Sequence, residues 1–227
     1  MPNRNRNGIL LQLLAAFLLC VALISSAAAG PREQAKRIHD RLAGVPPMED
    51  VLFDMEVAIG SGNAEAAAQL AMDNPNFYNV TLKNFAAPWT NRDQSVFVPL
   101  NDYTATVIGM IRDEVPFNTL LSADIIYIGD GGLGLPPYSS SNNNHYEQME
   151  QQGLDMQSGL IQVPQSSVTG LPPAATAGIM TTRTAAEAFF IAGTNRAMFR
   201  FTLLNHMCND LEQVHDVKLP PDRIRQD

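Results

Sequence analysis

The stretch "FTLLNHMCNDLEQVH", Phe201 to His215, brings together two histidines, a methionine and a cysteine. Imidazole, thioether and thiolate are the groups that hold haem iron or a transition metal. Covalent c-type haem attachment needs C-x-x-C-H, two thiols for the thioether bonds and a histidine for the iron. Cys20 and Cys208 are the chain's only cysteines, and neither stands in such a motif. A zinc site needs three or four ligands converging on one point. On a helix, His206 and Cys208 lie about 200° apart, and Cys208 and His215 are separated by about 10.5 Å along the axis, too far for one tetrahedral ion. Ala197, Phe201, Leu204, Cys208 and Leu211 instead follow a 4-3-4-3 rhythm, the buried stripe of an amphipathic helix. Cys208 is therefore expected in the core, as free cysteine usually is, with His206 and His215 at the surface or a helix end. Non-covalent haem ligation by a histidine with Met207 or Met198 has no support in the spacing.

Other chemistry-bearing motifs have plainer readings. "GDGGLG", Gly129 to Gly134, satisfies G-x-G-x-x-G and follows the strand-like "DIIYI". A dinucleotide fingerprint also needs a helix starting at the pyrophosphate, and here Pro136-Pro137 and a Ser/Asn run follow, so the motif reads as a loop. No G-x-S-x-G elbow is present. Glu49, Asp50, Asp54 and Glu56 are an acidic cluster at helical spacing, which reads as a solvated face. His145 follows the polar Asn142 to Asn144 without a defining pattern. The most informative polar group is the loop bounded by Pro88 and Pro99, where Trp89, Asn91, Arg92 and Asp93 form a candidate recognition loop. The competing reading is a buried Arg92–Asp93 pair that holds the loop in place. No residue is assigned as catalytic, cofactor-binding or metal-ligating.

The elements that must position these residues are mainly helical. "PREQAKRIHDRLAG" carries Pro31 at a first-turn position and Gly44 at its stop. "MEDVLFDMEVAIG" repeats Val51, Leu52, Met55 and Ile59 on one stripe, and Asn63 caps "NAEAAAQLAMD". Asn74-Pro75 opens a fourth helix over "PNFYNVTLKNFA", and a fifth runs from Asn101 to Asp113, capped by Asn101 or Asp102. "FNTLLSAD" predicts one or two helical turns, and "DIIYI" a single strand. The resulting expectation is a mainly α chain, an irregular helical bundle with long Gly/Pro/Ser/Asn-rich loops and at most a short strand element. Residues 30–128 form an N-terminal helical region, 129–173 a loop-rich connector, and 174–227 a C-terminal helical region packing on the first.

The first 29 residues read as a signal peptide. Arg4 and Arg6 form a positive n-region, Ile9 to Ser26 is an apolar run broken at Gln12, and Ala27-Ala28-Ala29 supplies the small residues for cleavage before Gly30. A retained membrane anchor is the competing reading, but no polybasic stop-transfer cluster follows. The chain is thus expected in the periplasm or secreted, without stable membrane insertion after cleavage. Cleavage leaves Cys208 alone, so an intramolecular disulfide is excluded. The net charge of −8, before two n-region arginines are lost, argues against nucleic acid and anionic membranes as partners.

Three blocks carry a resemblance. "AMDNPNFYNVTLKNFAAPWTNRD", "PFNTLLSADIIYIGD" and "TAGIMTTRTAAEAFFIAGTNRAMFRFTLLNHMC", in that order and followed by the proline-rich exit "KLPPDRIRQD", resemble the helical region of planctomycete-type cytochrome-associated exported proteins. In that family the c-type haem motif lies beyond the exit, and the present sequence stops at Asp227 before one. The resemblance therefore carries no haem ligand onto any residue here, and haem is expected only in a partner. It implies a non-catalytic accessory or scaffold module beside periplasmic or surface electron-transfer machinery, with a redox or cytochrome subunit as its protein partner. Two alternatives stand beside it: a secreted redox protein or enzyme with a non-covalent cofactor near Trp89 to Asp93, and a solute- or glycan-binding module using Trp89 and Tyr103.

Overall fold

The N-terminal helices form where capping and periodicity place them. In the computed structural model, which describes residues 29–190, 195–210 and 213, α1 (Pro31–Leu42) opens on its proline and turns Ala35 and His39 inward. The His39 ring Nδ1 bonds the Val45 carbonyl at 2.7 Å and closes the turn that follows. Helix α2 (Glu49–Gly60) buries Leu52 and Met55. Helix α3 (Ala64–Met72) starts at Asn63, whose side chain accepts from the Ala66 N–H at 3.0 Å. The three pack around a small core of Ala35, Leu52, Met55, Ala67 and Ala71, in which alanines let the backbones approach closely. Segments 1–28, His215 and the proline-rich exit lie outside the described residues.

The fourth helix departs from its expected form. It runs as a π-helical stretch, Phe77–Leu82, then α4 (Lys83–Ala86), then a 3₁₀ turn, Ala87–Thr90. Phe77 and Leu82 are both buried. An α-helix would set residues five apart about 140° from each other, whereas the wider π turn brings them onto one face. Pro88 then ends the α-helical hydrogen bonding.

The centre of the fold is α5 (Asp102–Arg112), whose residues from Asp102 to Met110 are all buried. Its N-cap is Asn101, which accepts from the Thr104 N–H at 3.0 Å. Against it lies a hairpin-like sheet of β1 (Ile126–Gly129) and β2 (Leu160–Val163), antiparallel, with Ile126 opposite Val163 and Gly129 opposite Leu160. The partner of the predicted strand thus comes from the stretch read as a connector. That stretch also holds α6 (Asn144–Gln151), α7 (Met156–Gly159) and α8 (Gln165–Thr169). Helix α6 buries His145, Tyr146 and Met149, too few apolar positions to mark a helix by periodicity. Helices α9 (Arg183–Phe189) and α10 (Asn195–His206) return to α5, and Phe189 stacks on Phe201 with ring centroids 4.8 Å apart. The described residues are mainly α-helical with one two-stranded sheet, and the mainly α fold is what the sequence predicts. Among the described residues no helix is long and apolar enough to cross a membrane.

Two glycines permit the closest approaches. Gly178 has φ +54°, and a Cβ there would lie 1.9 Å from the Leu120 carbonyl oxygen. Its N–H donates to the Ala123 carbonyl, which ties the start of the C-terminal region to the end of the 117–123 segment. Gly109 lets the Tyr127 ring lie directly on α5: a Cβ would fall 2.0 Å from Tyr127 Cδ1. Tyr127 is held there by its hydroxyl, which donates to Asp113 at 2.7 Å. Gly109→Ala is expected to displace the ring and lower stability by about 3 kcal/mol, read as a lower midpoint in urea unfolding.

Candidate functional site

The site is assembled by one buried acid. Asp102 is fully buried at the first position of α5. Its Oδ2 accepts from the Arg183 N–H at 2.7 Å and from the Tyr138 hydroxyl at 3.3 Å. Its Oδ1 accepts from the Thr184 N–H at 3.1 Å and the Tyr103 N–H at 3.0 Å. The free N–H groups that open α9 are therefore satisfied by the residue that opens α5. Burial is the main cause that pushes the Tyr138 phenol above its ordinary range, with Asp102 beside it adding to the shift.

This junction puts two helix starts side by side, and a polar cleft of about 520 Å³ opens over them. Asn91, Asn101, Asn143, Glu147, Arg183 and Glu187 supply its polar lining, above an apolar strip of Val98, Pro99 and Ala188. The polar groups are pre-positioned. Asn143 donates to the Leu100 carbonyl at 2.8 Å and accepts from the Arg183 guanidinium at 3.1 Å. Arg183 also pairs with Glu187, one turn along α9. Glu147 keeps one carboxyl oxygen on the Asn143 amide.

Of the predicted recognition loop, Asn91 alone lines this cleft. Its amide donates to the Ala87 and Ser95 carbonyls and its oxygen accepts from the Ser95 N–H, so it braces the loop. The expected Arg92–Asp93 pair is not formed. Arg92 Nε reaches across to the Ala188 carbonyl on α9 at 2.8 Å, a partner 96 positions away that no local pattern reveals. Trp89 faces elsewhere, edge-on to Phe85 and to His206 at 4.8 and 5.3 Å. Tyr103, paired with Trp89 in the glycan-binding alternative, is buried and cannot stack on a solute. Asn101, Asn143, Glu147, Arg183 and Glu187 were not anticipated as site residues; the cap-forming doublet Asn101-Asp102 and the N-cap Thr182 were their sequence trace.

The metal-like stretch is also rearranged. Helix α10 ends at His206, and Cys208 lies beyond it, exposed, with φ +50°. The core position expected for Cys208 fails because the helix stops before reaching it. His206 does sit at the helix end, but half-buried rather than at the surface. Its Nε2 and the Tyr103 hydroxyl share a hydrogen bond of 2.8 Å, and burial lowers the ring's pKa to about 4. Burial holds the Tyr103 phenol well above its usual range. Arg200 pairs with Asp210 across the helix end. Among the described residues no group of three His, Cys, Asp or Glu could hold a metal ion.

The remaining reactive side chains brace loops. The Gly129 N–H donates to His145 Nε2 at 2.8 Å, and Nδ1 meets the Pro136 carbonyl at 2.6 Å, which assigns the ring hydrogen to Nδ1. Asp124 accepts from the Ser166 N–H and hydroxyl, and these bonds lower its pKa. Arg112 Nη1 donates to the Gln157 and Leu160 carbonyls, while its bidentate pair with Asp113 holds that carboxyl below its ordinary range. Comparison with protein-family models, curated proteins and solved structures returns no match for this chain.

Asp102→Ala leaves the N–H groups of Arg183 and Thr184 buried without acceptors, and is expected to cost about 3 kcal/mol or more in urea unfolding. His206 gives a separate, pH-dependent outcome. Its folded pKa of about 4 lies below the ordinary 6.5, so between those values the unfolded chain holds a proton that the folded chain does not. Stability should then fall as pH drops through this window, by about 2 kcal/mol once partial exposure is allowed for. His206→Gln, whose amide can still hydrogen-bond the Tyr103 hydroxyl, should remove most of that slope in melts recorded from pH 7 to pH 4.

Proposed function

We propose that this chain is an exported, non-catalytic accessory module that docks on extracytoplasmic electron-transfer machinery of the c-type cytochrome kind. The observation that carries this reading is the closure of the three resembling blocks on one another. Arg92 of the first block bonds Ala188 of the third, Asn205 of the third bonds the Trp89 carbonyl at 3.2 Å, and Gly178 bonds Ala123 of the second. Residues far apart in sequence are thereby joined into one surface, which is what a scaffold offers a partner. His145, Asp102, Asp124 and Arg112 are all engaged in bracing that surface.

The polar cleft is the recognition feature of that surface. Glu147 and Glu187 on its rim, in a chain of net charge −8, favour a partner presenting basic side chains, and the complementarity acts mainly on encounter and orientation. Any haem would belong to the partner.

The test is chemical cross-linking of the tagged chain in its native exported fraction, followed by haem staining. A stoichiometric haem-bearing polypeptide should be recovered. It should be lost several-fold when Glu147→Gln and Glu187→Gln are combined. Recovery without a haem-bearing partner overturns the reading, and a haem absorption band in the purified chain itself would replace it with a cofactor-bearing redox protein.

A further inference from the structure

The "GDGGLG" loop borders a second cleft, separate from the polar one. This cleft, about 440 Å³, lies at the end of the β1–β2 pair. Ile128 and Ile161 come from the two strands, Leu135 and Tyr138 from the segment after the loop, and Val168 from α8. Each of these side chains is only partly buried, so the walls form a concave apolar surface open to solvent. The volume falls within the roughly 300–1,000 Å³ of small-molecule sites, which are likewise mostly apolar with few polar groups.

Most polar groups of the cleft are already committed. The Tyr138 hydroxyl donates to Asp102, and His145 uses both ring nitrogens on Gly129 and Pro136. Asp130 is the exception. Its N–H donates to the Gly159 carbonyl at 2.9 Å, and its Oδ1 accepts from the Gly132 N–H at 2.8 Å, which fixes the side chain on the rim. Its second carboxyl oxygen has no partner among the described residues. Beside it, Gly131 has no heavy atom within 4 Å of where a Cβ would stand, so the mouth is open. No lysine or arginine lines the cleft. An anion would be repelled by the Asp130 carboxylate with no side-chain cation to offset it, and a polyol would leave the apolar walls unmatched.

We infer that this cleft binds a small apolar ring compound carrying an ammonium group, its body against Ile128, Leu135, Ile161 and Val168 and its cation on Asp130. The assignment is independent of the docking role proposed for the other cleft. It is tested on the full chain with the neutral fluorophore N-phenyl-1-naphthylamine, displaced by 1-naphthylmethylammonium or by 1-naphthoate. Saturable fluorescence enhancement with a micromolar dissociation constant is expected. The cation should compete about fivefold better than the anion at low salt, as suits a screened rim charge. Asp130→Asn, whose amide oxygen still serves Gly132, should bring the two competitors to within about twofold. Val168→Trp, which fills the cleft, should abolish the enhancement while the thermal unfolding curve stays in place. Absence of enhancement, its survival in the Val168→Trp variant, or equal competition by cation and anion in the unaltered chain would each overturn the assignment.

Discussion

A buried carboxyl group at the head of a buried helix is the constraint on which the rest of this structure depends. Taking Asp102 out of water costs free energy unless its oxygens are fully bonded, and the bonds come from the first turn of a helix some eighty residues later. The N-terminal end of α5, where backbone dipoles are positive, is a favourable place for the group. Once α9 is fixed by its start, its far end offers the Ala188 carbonyl to Arg92, and its first side chain meets Asn143. The Arg92 loop, the Asn143 segment and the start of α9 thus meet around the group that Asp102 anchors.

The sequence was legible where structure is local. Pro31, Asn63 and Asn101 mark helix starts through mechanisms acting over three or four residues, and Leu52 with Met55 mark a buried stripe. It was less legible where burial is shared by distant segments. The strand over Leu160–Val163 has only its partner β1 to define it, and α6 buries three side chains among polar neighbours. Cys208 misled because the apolar rhythm continues past His206 although the helix does not. The candidate site was visible only through Asn91. The other cleft residues are ordinary Asn, Glu and Arg until Asp102 brings their segments together.

With Cys208 the single cysteine among the described residues, their loops must be ordered by means other than a disulfide. Here the means is side-chain-to-backbone hydrogen bonding. Asn91 braces one loop, Gln165 reads the Gly178 carbonyl, and Arg112 spans the carbonyls of Gln157 and Leu160. Each such bond adds about 1 kcal/mol and offsets part of the entropy lost in fixing the segment. Potentially reactive side chains are therefore concentrated in structural roles, and the two clefts described above are places where polar or apolar groups meet solvent in a fixed geometry.

The separation of the hydrophobic interior into two clusters has a kinetic consequence. The small cluster of α1 to α3 is built from neighbours in sequence, so its loop-closure cost is slight and it can condense early, in microseconds to milliseconds. The large cluster closes only when Phe189, Ala197 and Phe201 arrive, more than eighty residues after Tyr103. A chain synthesised from its N-terminus would thus carry a finished three-helix nub while the surfaces of α5 stayed open to water. During that interval its open apolar surfaces are the part of the chain most prone to aggregate.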